Sequence, residues 1–146
     1  MTDDNDALVV RLQHLTTRLL RLARAPHGEI GLTSAQYSAM AVLYNQPGVS
    51  LVDLARVEAV AHPTMSRLIK GLEKNGMVQR VPDPNDGRSQ LLSLSSKGMD
   101  LYRQAAARRI ALFKTILAQL SPQTIAELTA AVEHVAAPLK DGIHRS

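Results

Sequence analysis

The chain has 146 residues, of which 45% are hydrophobic and 21% are charged, and it contains no cysteine. This size and composition predict a single domain over residues 1–146 and exclude disulfides, thiol nucleophiles and thiolate zinc sites. The 17 Lys and Arg residues against 13 Asp and Glu residues give a formal net charge of +4, which permits a polyanionic partner. No apolar run approaches the roughly 20 residues of a membrane span, and the acidic opening is unlike a secretory signal. We therefore expect a cytoplasmic protein without a membrane partner.

The first predicted element is a helix over residues 7–24. Its leucines recur in steps of four and three residues, at Leu8, Leu12, Leu15, Leu19 and Leu22. A seam with this 3.5-residue period is typical of a helix that packs against another helix along its length. Pro26 and Gly28 are expected to end the helix.

Three shorter helices follow, and their start and stop signals place them over residues 33–46, 50–57 and 63–74. Thr33 and Gln36 have the spacing of a capping box at the start of the first of these helices. Ser50 is a cap for the second, and Pro63 suits the first turn of the third, where its missing N–H is harmless. The second and third helices, joined by a tight connection, are typical of a helix-turn-helix.

The hydrophobic period then changes from that of a helix to that of a strand. Residues 77–81 and 90–94 read as two short strands of a hairpin. Pro82 and Pro84 are expected to exclude a regular ladder between these strands, so the hairpin should have a long, stiff, protruding tip. Two helices separated by a tight turn and followed by a hairpin are the order of a winged helix-turn-helix.

Two further helices are predicted over residues 96–119 and 122–139. The predicted fold class is therefore mainly α, with a winged helix-turn-helix over 33–95 and a helical dimerisation region built from both termini, 7–25 and 96–140. The terminal helices carry apolar seams longer than a winged region of about 70 residues can cover, which predicts a homodimer. The alternative is a monomeric bundle that folds back on itself.

The third of the short helices can bury one face and present the other to a DNA major groove. Its exposed face is predicted to carry Pro63, Thr64, Ser66, Arg67, Lys70 and Lys74. Arg67 has the geometry to pair with guanine O6 and N7, and Thr64 to reach a base edge or a thymine methyl. Lys70 and Lys74 lie further along, where a helix leaves the groove and meets phosphates. The alternative is an ordinary solvated face of an amphipathic helix.

The hairpin supplies one more candidate contact to DNA. Arg88, expected at the tip, is suited to a narrow minor groove, where the electrostatic potential is most negative. Asp86 is expected to fix its direction through a salt bridge, although an ordinary turn charge is the alternative. With only three tyrosines and one phenylalanine, the chain has little on which single-stranded bases can stack. Double-stranded DNA is therefore the expected partner.

Two stretches of the sequence resemble the MarR family of bacterial transcriptional regulators. They are HPTMSRLIKGLEKNGMVQR at 62–80 and DPNDGRSQLLSLSSKG at 83–98, and residues 33–37 are similar to the opening of that family's second helix. The resemblance implies an obligate homodimer that reads a palindromic operator, represses transcription and releases DNA when a small aromatic or anionic effector binds. Gly87 stands where many members carry a second arginine, so the wing is expected to be less basic.

The resemblance also implies an effector pocket between the first, second and fifth helices. His14 and Arg18 lie one turn apart on the first helix, and Tyr37 lies at the start of the second. A cation with a phenolic hydroxyl can hold a small carboxylate or phenolate. The alternative is that Arg18 is solvated or contacts a partner chain, and that Tyr37 belongs to the core.

No catalytic constellation is visible in the sequence. The five histidines are scattered without the spacing of a helical metal site, and neither a phosphate-binding glycine loop nor a nucleophile elbow is present. We therefore expect no enzyme activity, no cofactor and no metal, and predict a sequence-specific regulator that is associated with the nucleoid when bound to DNA. The alternatives are an architectural DNA-binding protein of low specificity and a winged domain used for protein–protein contacts.

Overall fold

The computed structural model describes residues 3–28 and 30–142, with side chains over 5–24 and 30–137. The described chain forms six helices and two strands, in the order α1 Asp3–Gly28, α2 Ser34–Asn45, α3 Leu51–Val57, α4 His62–Lys74, β1 Val78–Asp83, β2 Asp86–Leu94, α5 Ser96–Leu117 and α6 Pro122–Gly142. The two strands form an antiparallel hairpin. These elements confirm the predicted mainly α fold with a two-stranded wing.

The chain divides into two compact units, Met1–Arg109 and Ile110–Ser146. The hydrophobic core belongs to the first unit, where α2, α3 and α4 pack with the base of the hairpin and the start of α5. The largest fully buried side chains of this core are Met40, Leu43, Leu54, Met65, Ile69, Leu72 and Leu92. This core fixes α4 and the base of the wing in one rigid body.

Local capping explains where α2 and α3 begin. The Thr33 hydroxyl accepts a hydrogen bond from the Gln36 amide at 3.1 Å, and the Gln36 side chain accepts one from the Thr33 amide at 2.9 Å. The Ser50 hydroxyl caps α3 by accepting from the amide of Asp53 at 3.0 Å. Each bond satisfies an N–H group that the first turn of a helix leaves without a partner. The predicted capping box and the predicted Ser50 cap are therefore confirmed.

The turn between α3 and α4 contains a backbone conformation that is unusual for an alanine. Ala59 has a φ of 52°, in the left-handed region that favours glycine. Helix α4 then begins after Ala61, which caps it without a side-chain hydrogen bond, and Pro63 lies in its first turn as predicted. No side chain caps this helix; the amide of Thr64 instead donates a hydrogen bond to the Ala61 carbonyl at 2.9 Å, and Pro63 has no N–H group to satisfy.

The wing differs from the sequence prediction. β1 pairs with β2 along its whole length, and a register shift after Pro82 leaves residues 87–89 as a bulge in β2. The turn is the tight pair Pro84-Asn85 and not a long tip. Pro82 is tolerated because a two-stranded sheet consists of edge strands, in which alternate N–H groups face solvent and are not needed by the ladder. Pro84 lies in the turn, outside the ladder.

Helix α1 is longer than predicted and continues through Pro26 to Gly28. The helix ends at Gly28, as predicted, but Pro26 does not stop it, because a proline in the last turn removes only one of the helical hydrogen bonds. The leucine seam faces solvent in the single chain: Leu8 is 61% exposed and Leu15 is 51% exposed, whereas Ala23 is buried. No described helix combines the length and the apolar character that crossing a bilayer requires.

Candidate nucleic-acid interface

Helix α4 divides into a buried face and an exposed face, as its sequence predicts. Met65, Ile69 and Leu72 are at most 1% exposed, which anchors the helix to the core. On the opposite face the exposed predicted contact residues are Pro63, Thr64, Arg67, Lys70 and Lys74. Ser66 is half-buried, so of the six predicted contact residues on this helix it is the least available to a partner.

The cations of this face form no ion pair with the acidic side chains that the structure describes. Among the side chains that the structure describes, ion pairs join Arg56 to Asp53, Arg80 to Glu73 and Arg103 to Asp100. The cations Arg67, Lys70, Lys74 and Arg88 are in none of these pairs and are all exposed. Unpaired cations along one helix and the neighbouring hairpin are the electrostatic footprint of a polyanion-binding surface.

Arg88 lies in the bulge of β2, not at the tip of the hairpin. The carboxylate of Asp86 accepts a hydrogen bond from the backbone amide of Arg88 at 3.0 Å. The expected salt bridge between the two side chains is not among the ion pairs of the described residues. Asp86 therefore shapes the backbone of the bulge and leaves the guanidinium of Arg88 free to reach a partner.

An ion pair that the sequence analysis missed joins the wing to α4. The Nε atom of Arg80 lies 2.6 Å from Oε1 of Glu73, and Nη2 lies 3.4 Å from Oε2. The two residues are seven apart in the sequence, on either side of the Asn75-Gly76 turn that ends α4. Opposite charges on either side of this turn were the sequence signal that could have predicted the pair. The pair connects the last turn of α4 to the first strand of the wing.

A cleft of about 280 Å³ opens in the first unit between α1, α2 and Arg109 of α5. Its lining consists of Leu20, Ala23, Ser34, Tyr37, Ser38, Ala41 and Arg109. Tyr37 thus lies where the sequence predicts an effector pocket. His14 and Arg18 are exposed on α1 and are not in this lining, and Arg109 of α5 is the cation that the cleft presents instead.

Three tyrosines stack beside this cleft. The Tyr102 ring lies 5.3 Å from that of Tyr37 and 4.7 Å from that of Tyr44, and the Arg109 guanidinium lies 5.3 Å from the centre of the Tyr37 ring. Burial, together with the neighbouring Tyr37, raises the pKa of Tyr102 from 10.0 to about 12. Tyr37 and Tyr44 are seven residues apart on α2, and Tyr102 and Arg109 are seven residues apart on α5. A spacing of seven places both members of each pair on one face of their helix, and this was the sequence signal for the aromatic cluster.

Comparisons with known proteins agree with this geometry. A model of the MarR family matches residues 32–90. An uncharacterized HTH-type transcriptional regulator of Mycobacterium leprae is 36% identical over 109 residues, which make up 75% of this chain and 75% of the relative. The homoprotocatechuate degradative operon repressor of Escherichia coli is 25% identical over 129 residues, 88% of this chain and 87% of the relative.

A solved structure of similar fold is that of a mutant of MepR from Staphylococcus aureus bound to an oligodeoxyribonucleotide. Its TM-score is 0.66 at 21% sequence identity, and the match covers 90% of this chain and 97% of that chain. The family and these relatives are regulators of transcription and not enzymes. The resemblance carried by residues 62–80 and 83–98 is confirmed, and the chain belongs to the MarR family of DNA-binding transcriptional regulators.

Proposed function

We propose that this regulator is a repressor that binds a palindromic operator as a homodimer and leaves it when a small aromatic or anionic effector occupies the cleft of the first unit. The observation that carries the proposal is the set of four exposed cations on α4 and the wing, Arg67, Lys70, Lys74 and Arg88, which belong to none of the ion pairs within the described part of the chain. We place the protein in the cytoplasm, associated with the nucleoid when it is bound to DNA. A low-specificity architectural binder and a protein-binding winged domain are the competing functions.

In this proposal Arg67 reads a guanine in the major groove, with Thr64 beside it on a base edge. Pro63 and the half-buried Ser66 are small and allow the helix backbone to approach the bases. Lys70 and Lys74 contact phosphates. Arg88 enters the minor groove, and Asp86 supports it by holding the backbone of the bulge.

The proposed homodimer is supported by the apolar residues that each chain leaves exposed. On α1, Leu8, Leu12 and Leu15 are more than half exposed, and on α6 Val132 and Val135 are each 56% exposed. Monomeric proteins seldom expose apolar stripes of this length. A second copy of the chain related by a twofold axis buries these stripes and sets two winged regions on one duplex.

Light scattering tests the dimer. The account expects twice the chain mass for the wild-type protein, a loss of dimer on Leu15→Glu, and no change on Gln13→Glu, which adds the same charge at an exposed position outside the seam. A wild-type protein with the mass of one chain contradicts the proposal.

The roles of repressor and effector sensor are supported by separate observations. The Escherichia coli relative is named as an operon repressor. The cleft presents a cation, Arg109, above the ring of Tyr37. In this proposal a small aromatic acid enters the cleft with its carboxylate toward the guanidinium of Arg109.

Two substitutions test the DNA surface and the cleft. Arg67→Ala is expected to weaken binding by about 1–3 kcal/mol and to relax sequence preference at one position of each half-site. With a panel of aromatic acids, Arg109→Ala is expected to abolish the ligand-induced loss of DNA affinity, whereas Arg18→Ala is the matched control that retains it. An unchanged sequence preference in the Arg67 variant contradicts its proposed role. An Arg109 variant that still responds to the acids contradicts the proposed cleft.

A further inference from the structure

The segment of the wing that carries Arg88 contains no buried residue. At the base of the hairpin Val78, Leu92 and Leu94 are at most 7% exposed. From residue 81 to residue 91 no residue of the wing is buried. The distal half of the wing therefore depends on its base for its direction.

The Glu73–Arg80 ion pair lies where the supported and unsupported parts of the wing meet. Arg80 is opposite the buried Leu92 in the strand register, and beyond this residue pair no residue of either strand is buried. The side chains of Arg80 and Glu73 are 31% and 26% exposed, so solvent screens this pair less than the exposed pairs elsewhere in the described chain. Two nitrogens of the guanidinium face the two carboxylate oxygens, which gives the contact a defined direction as well as attraction.

We infer that Glu73 and Arg80 are positioning residues for DNA binding, which set the angle between α4 and the wing and thereby bring Arg88 to the duplex. The inference rests on the proposed role of Arg88. Arg88 lies two to three strand positions beyond Arg80, roughly 7–10 Å at about 3.3 Å per residue. A pivot of about 20° at the anchor moves its backbone by roughly 2–3 Å, which is more than a hydrogen bond tolerates.

The negative charge of Glu73, close to the cations of α4, distinguishes a positioning role from a purely electrostatic one. It lies within one turn of Lys70 and Lys74 on α4. If Glu73 acted only through its charge, its removal would leave the surface more positive and would tighten DNA binding. Positioning predicts the opposite sign, namely that removing this acidic residue weakens binding.

A double-mutant cycle with Arg88 tests the inference. The duplex is the one that the wild-type chain selects from a random-sequence pool, and the Kd is measured for the full chain with and without Arg88→Ala. We expect Arg88→Ala to weaken binding about tenfold in the wild-type background. In the Glu73→Ala and Arg80→Ala backgrounds we expect it to weaken binding less than about twofold, because Arg88 no longer reaches the groove. Arg80→Lys, which keeps the charge but not the two-nitrogen contact with Glu73, should restore only part of the tenfold effect.

Controls keep the outcome interpretable. Arg103→Ala removes an exposed ion pair outside the wing and should leave the tenfold effect of Arg88→Ala intact. Glu73→Gln keeps the shape of the side chain and serves as the second variant if an alanine variant fails to fold; it should reduce the effect of Arg88→Ala below tenfold. A constant tenfold effect in every background overturns the inference and leaves the role of Arg88 standing. No effect of Arg88→Ala in the wild-type background overturns the role of Arg88 and the inference with it.

Discussion

Replacing Lys74 by alanine should change the salt dependence of DNA binding and leave the sequence preference unchanged. Lys74 is exposed in the last turn of α4 and belongs to none of the ion pairs among the described residues. A cation on a phosphate of B-DNA releases about 0.9 of a counterion, so one contact in each subunit of a dimer contributes about 1.8 to the slope of log Kd against log salt. Over a fourfold rise in salt this slope corresponds to a factor of about 12 in affinity.

Fluorescence anisotropy of a labelled operator duplex across this salt range measures the effect. Lys114→Ala is the matched control, because it removes the same charge from an exposed position on α5, outside the winged region. The account predicts a slope lower by about 1.8 for Lys74→Ala and an unchanged slope for the control. Equal slopes for the wild type and Lys74→Ala, or equal reductions in both variants, refute the assignment of Lys74 to a phosphate.

Three further predictions concern stability and ionisation. Gly98→Ala should lower the free energy of unfolding by at least about 2 kcal/mol in thermal or urea unfolding, because an added Cβ overlaps the backbone carbonyl of Met77; an unchanged midpoint contradicts this packing. Ala59→Gly should raise it by about 0.5–1 kcal/mol, because glycine relieves the left-handed φ of 52°, and a lower melting temperature contradicts the strain. In a spectrophotometric titration one tyrosine should ionise near pH 12, and Tyr102→Phe should remove that step. Tyr102 loses its proton at a lower pH in the unfolded chain than in the folded chain. The free energy of unfolding should therefore fall as the pH rises from about 10 to about 12, and a free energy that does not change over this range contradicts the raised pKa.

Local signals in the sequence predicted the framework of the DNA-binding surface. Thr33 and Ser50 mark helix starts because a cap acts over only three residues, and the structure forms both hydrogen bonds. The two faces of α4 were predictable because its apolar residues recur with the helical period. The free guanidinium of Arg67 follows from its place on the polar face.

Features that depend on packing between distant segments were not predictable. On α2, Leu43 is buried in the core, whereas the next residue, Tyr44, is 39% exposed and packs on Tyr102 of the distant α5. The cation in the cleft comes from Arg109, far along the chain from Tyr37, whereas the sequence favoured Arg18 because it lies on the first helix. Helical periodicity fixes which residues share a face, but it does not fix which helix that face contacts.

The wing shows a second limit of sequence reasoning. Two prolines suggested a break in the ladder, yet pairing continues through Pro82 because an edge strand does not need every N–H. The bulge that places Arg88 follows from the register of the two strands, and this register is fixed by buried residues at the base of the hairpin. The sequence identified Arg88 as a candidate contact to DNA, but it did not predict that Arg88 lies in a bulge of β2.

The most direct test of the central claim is selection of bound duplexes from fragmented genomic DNA of the source organism at near-physiological salt, with an Arg67→Ala/Arg88→Ala double variant as the control. The account predicts recovery of an inverted repeat of roughly 16–20 bp whose half-site centres lie about 10 bp apart, lost in the double variant. Recovery of AT-rich DNA without a common repeat, equally by both proteins, would contradict a sequence-specific repressor and favour an architectural DNA-binding protein.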